Sequence, residues 1–342
     1  MTHADIYSQQ SKEKKPRKHW IDCLRGFCCL IVIVDHAEVY LTGERITDYS
    51  WYSTNALVTF FFLSGYLAYK ATGLDYKRKV SALVKCILMP YLIFTAALSI
   101  PKALAHGNAI DFAGIASTII EGRASWFVAA LFVAELIFFT AIRLTKGNIA
   151  WLATIAASCF TASAILTYAD HPNYWQIENG LQGVLFLFAG YVYHKTEHKF
   201  ETLHKPLYLC CLFSALISIK IYETNIGYTS IICPIRISNY AIFLADIVIW
   251  YILSVGVFKL LPQCRPVEFC GTHSIVYYFF CGASPMTVSM LFHKCGLHYQ
   301  GNYMLVLLAA LCSCAITSAI AWLIYRYCPI LVGKKKSQVA DL

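Results

Sequence analysis

The stretch IDCLRGFCCLIVIVDHAEVYL, Ile21–Leu41, decides how the rest of the chain is read. It is long and apolar enough to cross a bilayer as one helix. It nevertheless carries Arg25, Asp35, His36 and Glu38. A charge near the bilayer centre costs roughly 2.5–3.5 kcal/mol on insertion scales, so ionisable residues in such a segment point to function. Arg25 and His36 stand eleven residues apart. At about 100° per residue that interval returns to within roughly 20° of its start, and it spans about 16 Å of helix. One helix face therefore offers a fixed cation near one membrane surface and a titratable imidazole deeper in.

The surrounding composition agrees with a membrane setting. Of 342 residues, 58% are hydrophobic and only 14% are charged, against roughly 25% charge in a soluble domain. The net charge of +9 sits in short runs between apolar segments, which fits topology rather than nucleic-acid binding; no nucleic-acid module is present. Most of the fifteen cysteines lie inside apolar runs and read as small hydrophobes. Cys233 and Cys295 fall in expected outer loops, where a bridge would be feasible.

The expected fold is an all-α integral membrane bundle of about ten helices. The apolar runs are Ile21–Leu41, Trp51–Tyr69, Leu83–Leu104, Trp126–Ile142, Ile149–Tyr168, Ile177–Tyr193, Pro206–Tyr222, Asn239–Leu261, Gly271–Phe292 and Tyr303–Tyr327. Pro90 and Pro101 predict a kink or an early end in the third. Ala105–Ala124 is too polar to span; Ile110, Phe112, Ile115, Ile119 and Ile120 suggest a short segment on the outer surface. Residues 1–19 read as a basic cytosolic tail, 20–330 as the membrane domain and 331–342 as a second short cytosolic tail. The charge bias supports the count. Lys12 to Lys18, Lys70 to Lys85, Arg143, Lys146, Lys195, Lys199, Lys205, Lys259, Arg265, Arg326 and Lys334 to Lys336 all fall on one side, which places both termini in the cytoplasm of a cell membrane.

Arg25 then lies at the cytosolic end of the first span, beside Lys77, Arg78, Lys79 and Lys85. Arginine and lysine there suit a phosphorylated cytosolic ligand. The distance up to His36 matches a pantetheine arm, so an acyl-CoA would place its head at the basic mouth and its thioester beside the imidazole. Histidine can take a proton from an attacking hydroxyl and return one to a leaving thiolate. The bland reading of Arg25 is a positive anchor snorkelling to the surface.

Asp22, Arg25-Gly26 and His36 resemble the signature of the membrane acyltransferase-3 superfamily. So do Phe61-Phe62-Leu63-Ser64-Gly65-Tyr66, the basic stretch Lys77 to Lys85 ahead of Met89-Pro90-Tyr91, Ser125-Trp126-Phe127, and Gly271-Thr272-His273-Ser274 with Tyr277 or Tyr278. The resemblance implies an O-acyltransferase of ten helices with acyl-CoA as donor, Arg25 contacting it, His36 as the catalytic residue, and a sugar hydroxyl of a cell-surface glycan or lipid-linked precursor as acceptor. The chain departs from the family where a histidine often follows the late tyrosine; Phe280-Cys281 stand there. It also departs in the basic loop, where Arg78 and Lys85 replace paired arginines.

The resulting expectation is an O-acetyltransferase with acetyl-CoA as co-substrate, no resident cofactor and no metal. His36 is the general base, Arg25, Arg78, Lys85 and Lys77 hold the donor, and Ser64, Trp126, Glu178, His273 and Ser274 face the acceptor. Glu135 or Asp246 is the expected carboxylate behind His36, and Glu38 suits a solvated place on the acceptor side. No activated nucleophile is evident, which favours direct attack. His194-Lys195-Thr196-Glu197-His198 matches an H-x-x-E-H zinc pattern, but its lysine-rich setting reads as a solvated loop. The rival function is a proton-coupled exporter of glycan precursors using Asp35, His36 and Glu38 as a proton path.

Overall fold

The computed structural model describes residues 18–105, 109–169 and 172–334. The basic residues Lys12, Lys14, Lys15 and Arg17, and most of the expected C-terminal tail, lie outside them. Helix α1 runs His19–Thr42 and ends at Gly43, whose positive φ lets its N–H reach back to the Val39 carbonyl. Helix α2 (Tyr49–Ala68) begins where the Asp48 side chain accepts from the Ser50 N–H. Next come α3 (Tyr76–Leu83), a π turn (Val84–Leu88), α4 (Met89–Ala105), the short α5 (Phe112–Ile120), α6 (Trp126–Leu144), α7 (Ile149–Leu166), α8 (Ile177–Lys195) and α9 (Pro206–Asn225). A two-stranded hairpin, β1 (Ser230–Ile231) and β2 (Arg236–Ile237), precedes α10 (Tyr240–Leu260), α11 (Arg265–Thr272), α12 (Ser274–Phe280), α13 (Ala283–Lys294) and α14 (Tyr303–Tyr327). Asparagine caps start α7, α10 and α14: Asn148, Asn239 and Asn302 each accept from first-turn N–H groups.

Among the described residues, six helices are long and apolar enough to cross a membrane: the run from Tyr76 to Pro101, α6, α7, α9, α10 and α14. Helices α12 and α13, bent by 48° at their junction, make a seventh if they form one broken span. The protein is therefore an all-α, multi-pass membrane protein. The expected apolar runs at α1, α2 and α8 are helical and 24, 20 and 19 residues long, but their charged and polar residues leave them out of that set. Their polar residues are turned inward. Asp22, Asp35, Glu38, Thr54, Asn55, Glu178, Asn179 and Gln182 are all buried, whereas the outer α7 and α9 expose Trp151, Leu207 and Phe213. The inward polar residues thus keep α1, α2 and α8 out of that set, whereas α6 belongs to it although about half of it is buried.

Close backbone approach holds the inner helices together. A Cβ on Gly65 would lie 1.9 Å from the Leu187 carbonyl oxygen, and one on Gly190 1.9 Å from that of Phe62, so α2 and α8 meet through reciprocal glycines. Helices α1 and α11 do the same. A Cβ on Gly26 would meet the Val267 oxygen at 1.9 Å, and one on Gly271 the Asp22 oxygen at 1.8 Å. Helix α1 also lies against α2, α13 and α14. The apolar interior has two main parts, one around α2, α6, α8 and α10 and one around α1, α4, α12 and α14; Phe60 and Tyr278 pack against both.

Two local details follow from the prolines and the cysteines. The helix does not end at Pro101 but continues to Ala105. Pro90 is absorbed by the π turn before it, where the Met89 N–H reaches the Val84 carbonyl; widening that turn accommodates a residue that lacks an N–H and crowds the carbonyl four residues back. Cys233 and Cys295 are free thiols and do not pair.

Candidate active site

A cavity of about 1360 Å³ opens where the two cores meet. Arg25 and His36 both line it, as their eleven-residue spacing on α1 requires. Its polar lining includes Asp35 and Tyr40 of α1, Ser53 and Ser64 of α2, Thr95 of α4, Trp126 and Glu135 of α6, and Ser274, Tyr277 and Tyr278 of α12, together with Arg45, Asp111 and Arg123. Of the expected acceptor-facing residues, Ser64, Trp126 and Ser274 are therefore brought together with His36.

The imidazole is oriented by its own helix. His36 Nδ1 lies 2.8 Å from the Val32 carbonyl oxygen, one turn back. A carbonyl only accepts, so Nδ1 carries the proton, and in the neutral ring Nε2 is left as the acceptor. Nε2 faces the Cys281 thiol, with Sγ 4.0 Å away. This corrects the expectation of a carboxylate behind His36. Glu135 instead accepts a short hydrogen bond from the Ser64 hydroxyl across the cavity wall. Asp246 lies elsewhere, bonded to the buried Lys220 at 2.8 Å.

The other acids of α1 are engaged in structure. Asp35, 3.9 Å from His36 Nδ1, receives Arg45 through Nε at 3.2 Å and Nη2 at 3.3 Å, and Ser53 at 3.1 Å. Glu38 is fully buried rather than solvated. It accepts from the N–H groups of Ile46 and Thr47 and from Tyr303 Oη at 2.6 Å. It thereby pins the α1–α2 loop to α14 and takes no place in the cavity wall. Arg25 keeps a looser link to Asp22, 3.6 Å away, which leaves its guanidinium donors available to the cavity.

Several expected site residues stand apart from this wall. Lys77, Arg78 and Lys85 are exposed on α3 and the π turn; Cys86, next to Lys85, is the nearest lining residue in sequence. Glu178 opens α8 with its N–H bonded to Asn173 Oδ1, outside the lining. His273 is buried outside the lining, its ring stacked on Phe269 with centroids 4.0 Å apart and its Nδ1 at 2.8 Å from the Phe269 carbonyl. Sequence reasoning missed Cys281, Tyr40 and Asp35's partner Arg45. It named Tyr278 only as one of two candidates; Tyr278 is the one whose hydroxyl accepts the Phe127 N–H at 3.2 Å beside the cavity.

The H-x-x-E-H stretch ties several elements together. Glu197 bonds Lys259 at 2.6 Å, Lys18 at 3.1 Å and Tyr66 Oη at 2.7 Å. Burial pushes its carboxyl up, but the bonds from Lys259, Tyr66 and Lys18 outweigh that and hold it at about 2. His194 Nδ1 donates to the Tyr66 carbonyl and its ring stacks on Tyr66. Among the described residues no group of three metal-ligating side chains forms.

A membrane bundle whose cavity joins an oriented imidazole and a guanidinium held only loosely by Asp22 suits acyl-group transfer. The chain belongs to the acyltransferase-3 family: the family model for its acyltransferase domain matches residues 18–326, nearly the whole chain. No curated protein and no solved structure matches it. The protein is a membrane acyltransferase.

Proposed function

We propose that the protein transfers an acetyl group from cytosolic acetyl-CoA to a hydroxyl of a cell-surface glycan or lipid-linked sugar. The observation that carries this reading is the shared cavity of Arg25 and His36, with Nδ1 tied to Val32 and Nε2 left as the acceptor beside Cys281 on the cavity wall. Arg25 takes the donor at the inner end. Lys77, Arg78 and Lys85, exposed beside Cys86, draw its phosphates toward that mouth as point charges and a fork. His36 Nε2 accepts the proton released as the acyl carbonyl is attacked and returns it to the departing CoA thiolate. Ser64, Trp126 and Ser274 line the acceptor's approach. In this reading ten helical segments cross the membrane, counting α1, α2 and α8 and the broken α12–α13 pair, with both ends of the chain in the cytosol.

The exporter alternative needs Asp35, His36 and Glu38 as a continuous proton path. Glu38 is closed off by two backbone N–H groups and Tyr303, and Asp35 by Arg45 and Ser53, which favours transfer. Protein reconstituted in vesicles containing a lipid-linked sugar, with acetyl-CoA supplied at the inner-face end, decides between them. Free CoA thiol and an acetyl ester on the sugar are expected in equal amounts. Gradient-driven sugar flux without thioester loss would overturn the transferase reading.

A further inference from the structure

The α12–α13 junction places a nucleophile against the catalytic base. Helix α12 stops at Phe280, and α13 starts at Ala283 after a 48° bend. Cys281 and Gly282 occupy the break and line the cavity together with Ala283. A Cβ on Gly282 would lie 3.8 Å from both His36 Cδ2 and Tyr40 Oη, so the break is seated directly on the imidazole. Cys281 Sγ lies 4.0 Å from His36 Nε2, the nitrogen left as acceptor once Nδ1 donates to Val32. Nucleophile, base and an orienting group on the far side of the base form the arrangement that marks covalent catalysis, and such contacts shorten when substrate binds.

Other cavity thiols lack this partner. Cys233 points at Gln176 Oε1, 3.7 Å away, and burial pushes its thiol up to about 12. Cys86 Sγ donates toward the Gly333 carbonyl. The first turn of α13 adds a further element. A helix start leaves N–H groups without intrahelical partners, and its positive end suits a developing oxyanion.

We propose that Cys281 is a catalytic residue that carries the acyl group as a thioester between donor and acceptor, resting on the transferase reading above. The Cys281 Sγ–H proton moves to His36 Nε2 as Sγ bonds to the acyl carbon. The C–S bond to CoA then breaks, and the departing thiolate takes the proton from His36. The acceptor hydroxyl next gives its proton to Nε2 as its oxygen bonds to the acyl carbon. The Cys281–acyl bond breaks and the thiolate is reprotonated by His36. No oxidant or metal is needed. Thioester-to-thioester exchange conserves the bond type, so the energy of the donor is kept for ester formation. The two substrates can then use the chamber one after the other.

The test traps the intermediate. The purified full-length protein is mixed with labelled acetyl-CoA without acceptor, quenched in acid, digested and analysed by mass spectrometry. About one acetyl group per chain is expected on the Cys281 peptide, released by neutral hydroxylamine, with a matching burst of free CoA. Cys281→Ala should abolish the burst and lower turnover at least about 100-fold while keeping its melting temperature. Cys281→Ser, which differs by one atom, should form an ester that turns over slowly, and it stands in if the alanine variant fails to fold. Burst-free turnover by wild type, or Cys281→Ala working at the wild-type rate, would each overturn the covalent route while leaving direct transfer intact, and an adduct on another residue would overturn the assignment to Cys281. Absence of any CoA release by wild type, with acceptor present, would remove the transferase reading and the thioester with it.

Discussion

Replacing Lys220 by methionine separates structural polarity from chemistry in this bundle. Lys220 on α9 is 2% exposed and holds three acceptors at once: Asp246 at 2.8 Å, Glu223 at 3.1 Å and the Ser50 carbonyl at 2.6 Å. None of these residues lines the cavity except through neighbours in sequence. Removing the ammonium leaves two buried carboxyl groups without their cation, a change that costs about 3–5 kcal/mol. Taking the per-residue unfolding entropy of globular proteins over 342 residues, that loss lowers the melting midpoint by about 4–7 °C. The triple change Lys220→Met, Glu223→Gln, Asp246→Asn removes all three charges and should recover most of the loss. Melting in detergent micelles, with CoA release measured well below the midpoint, reads both effects. Folded Lys220→Met enzyme should turn over at the wild-type rate. A shift below about 1 °C, or lost turnover at an unchanged midpoint, would refute a purely structural role and move the cluster into the mechanism.

Other outcomes follow from the same geometry. Gly65→Ala should destabilise the protein by about 1–3 kcal/mol, because its methyl would meet the Leu187 backbone rather than a movable side chain; a melting midpoint equal to wild type would contradict the close α2–α8 contact. Glu197 titrates at about 2 in the folded protein against an ordinary value of 4.5. A depressed carboxyl lends stability that is present above the ordinary value and lost as pH falls through the folded one, so midpoints should drop between about pH 4.5 and 2, and Glu197→Gln should flatten that drop. Neutralising Lys77, Arg78 and Lys85 together should raise KM for acetyl-CoA several-fold at low salt with kcat held, since exposed charges act through steering that salt screens; an unchanged KM would detach them from the donor.

The part of the site that lay on one helix was legible in advance. Helical periodicity alone places Arg25 and His36 on one face of α1, the face that lines the cavity, and the Val32 contact lies one turn back on the same helix. Contacts between distant segments were not legible. Nothing local pairs Ser64 with Glu135, Glu38 with Tyr303, or Cys281 with His36; each depends on which helices become neighbours. The Phe280-Cys281 departure was visible, but its meaning required the bend between α12 and α13. The Lys220–Glu223 spacing was readable as a same-face pair, whereas Asp246 as its third member was not. Gly26, Gly65 and Gly271, which belong to the motifs, act as points of backbone contact. Apolar length marks α6 and α10, each about half buried inside the bundle, at least as clearly as the outer α7 and α9.

The role of the α1 imidazole is tested most directly by CoA release from purified His36→Ala beside Arg25→Ala. Losing a positioned general base should cut kcat by about 10²–10⁴, or roughly 3–5 kcal/mol of barrier, with acetyl-CoA still bound; losing the guanidinium should act mainly on donor KM. Release by His36→Ala at the wild-type rate would contradict the account.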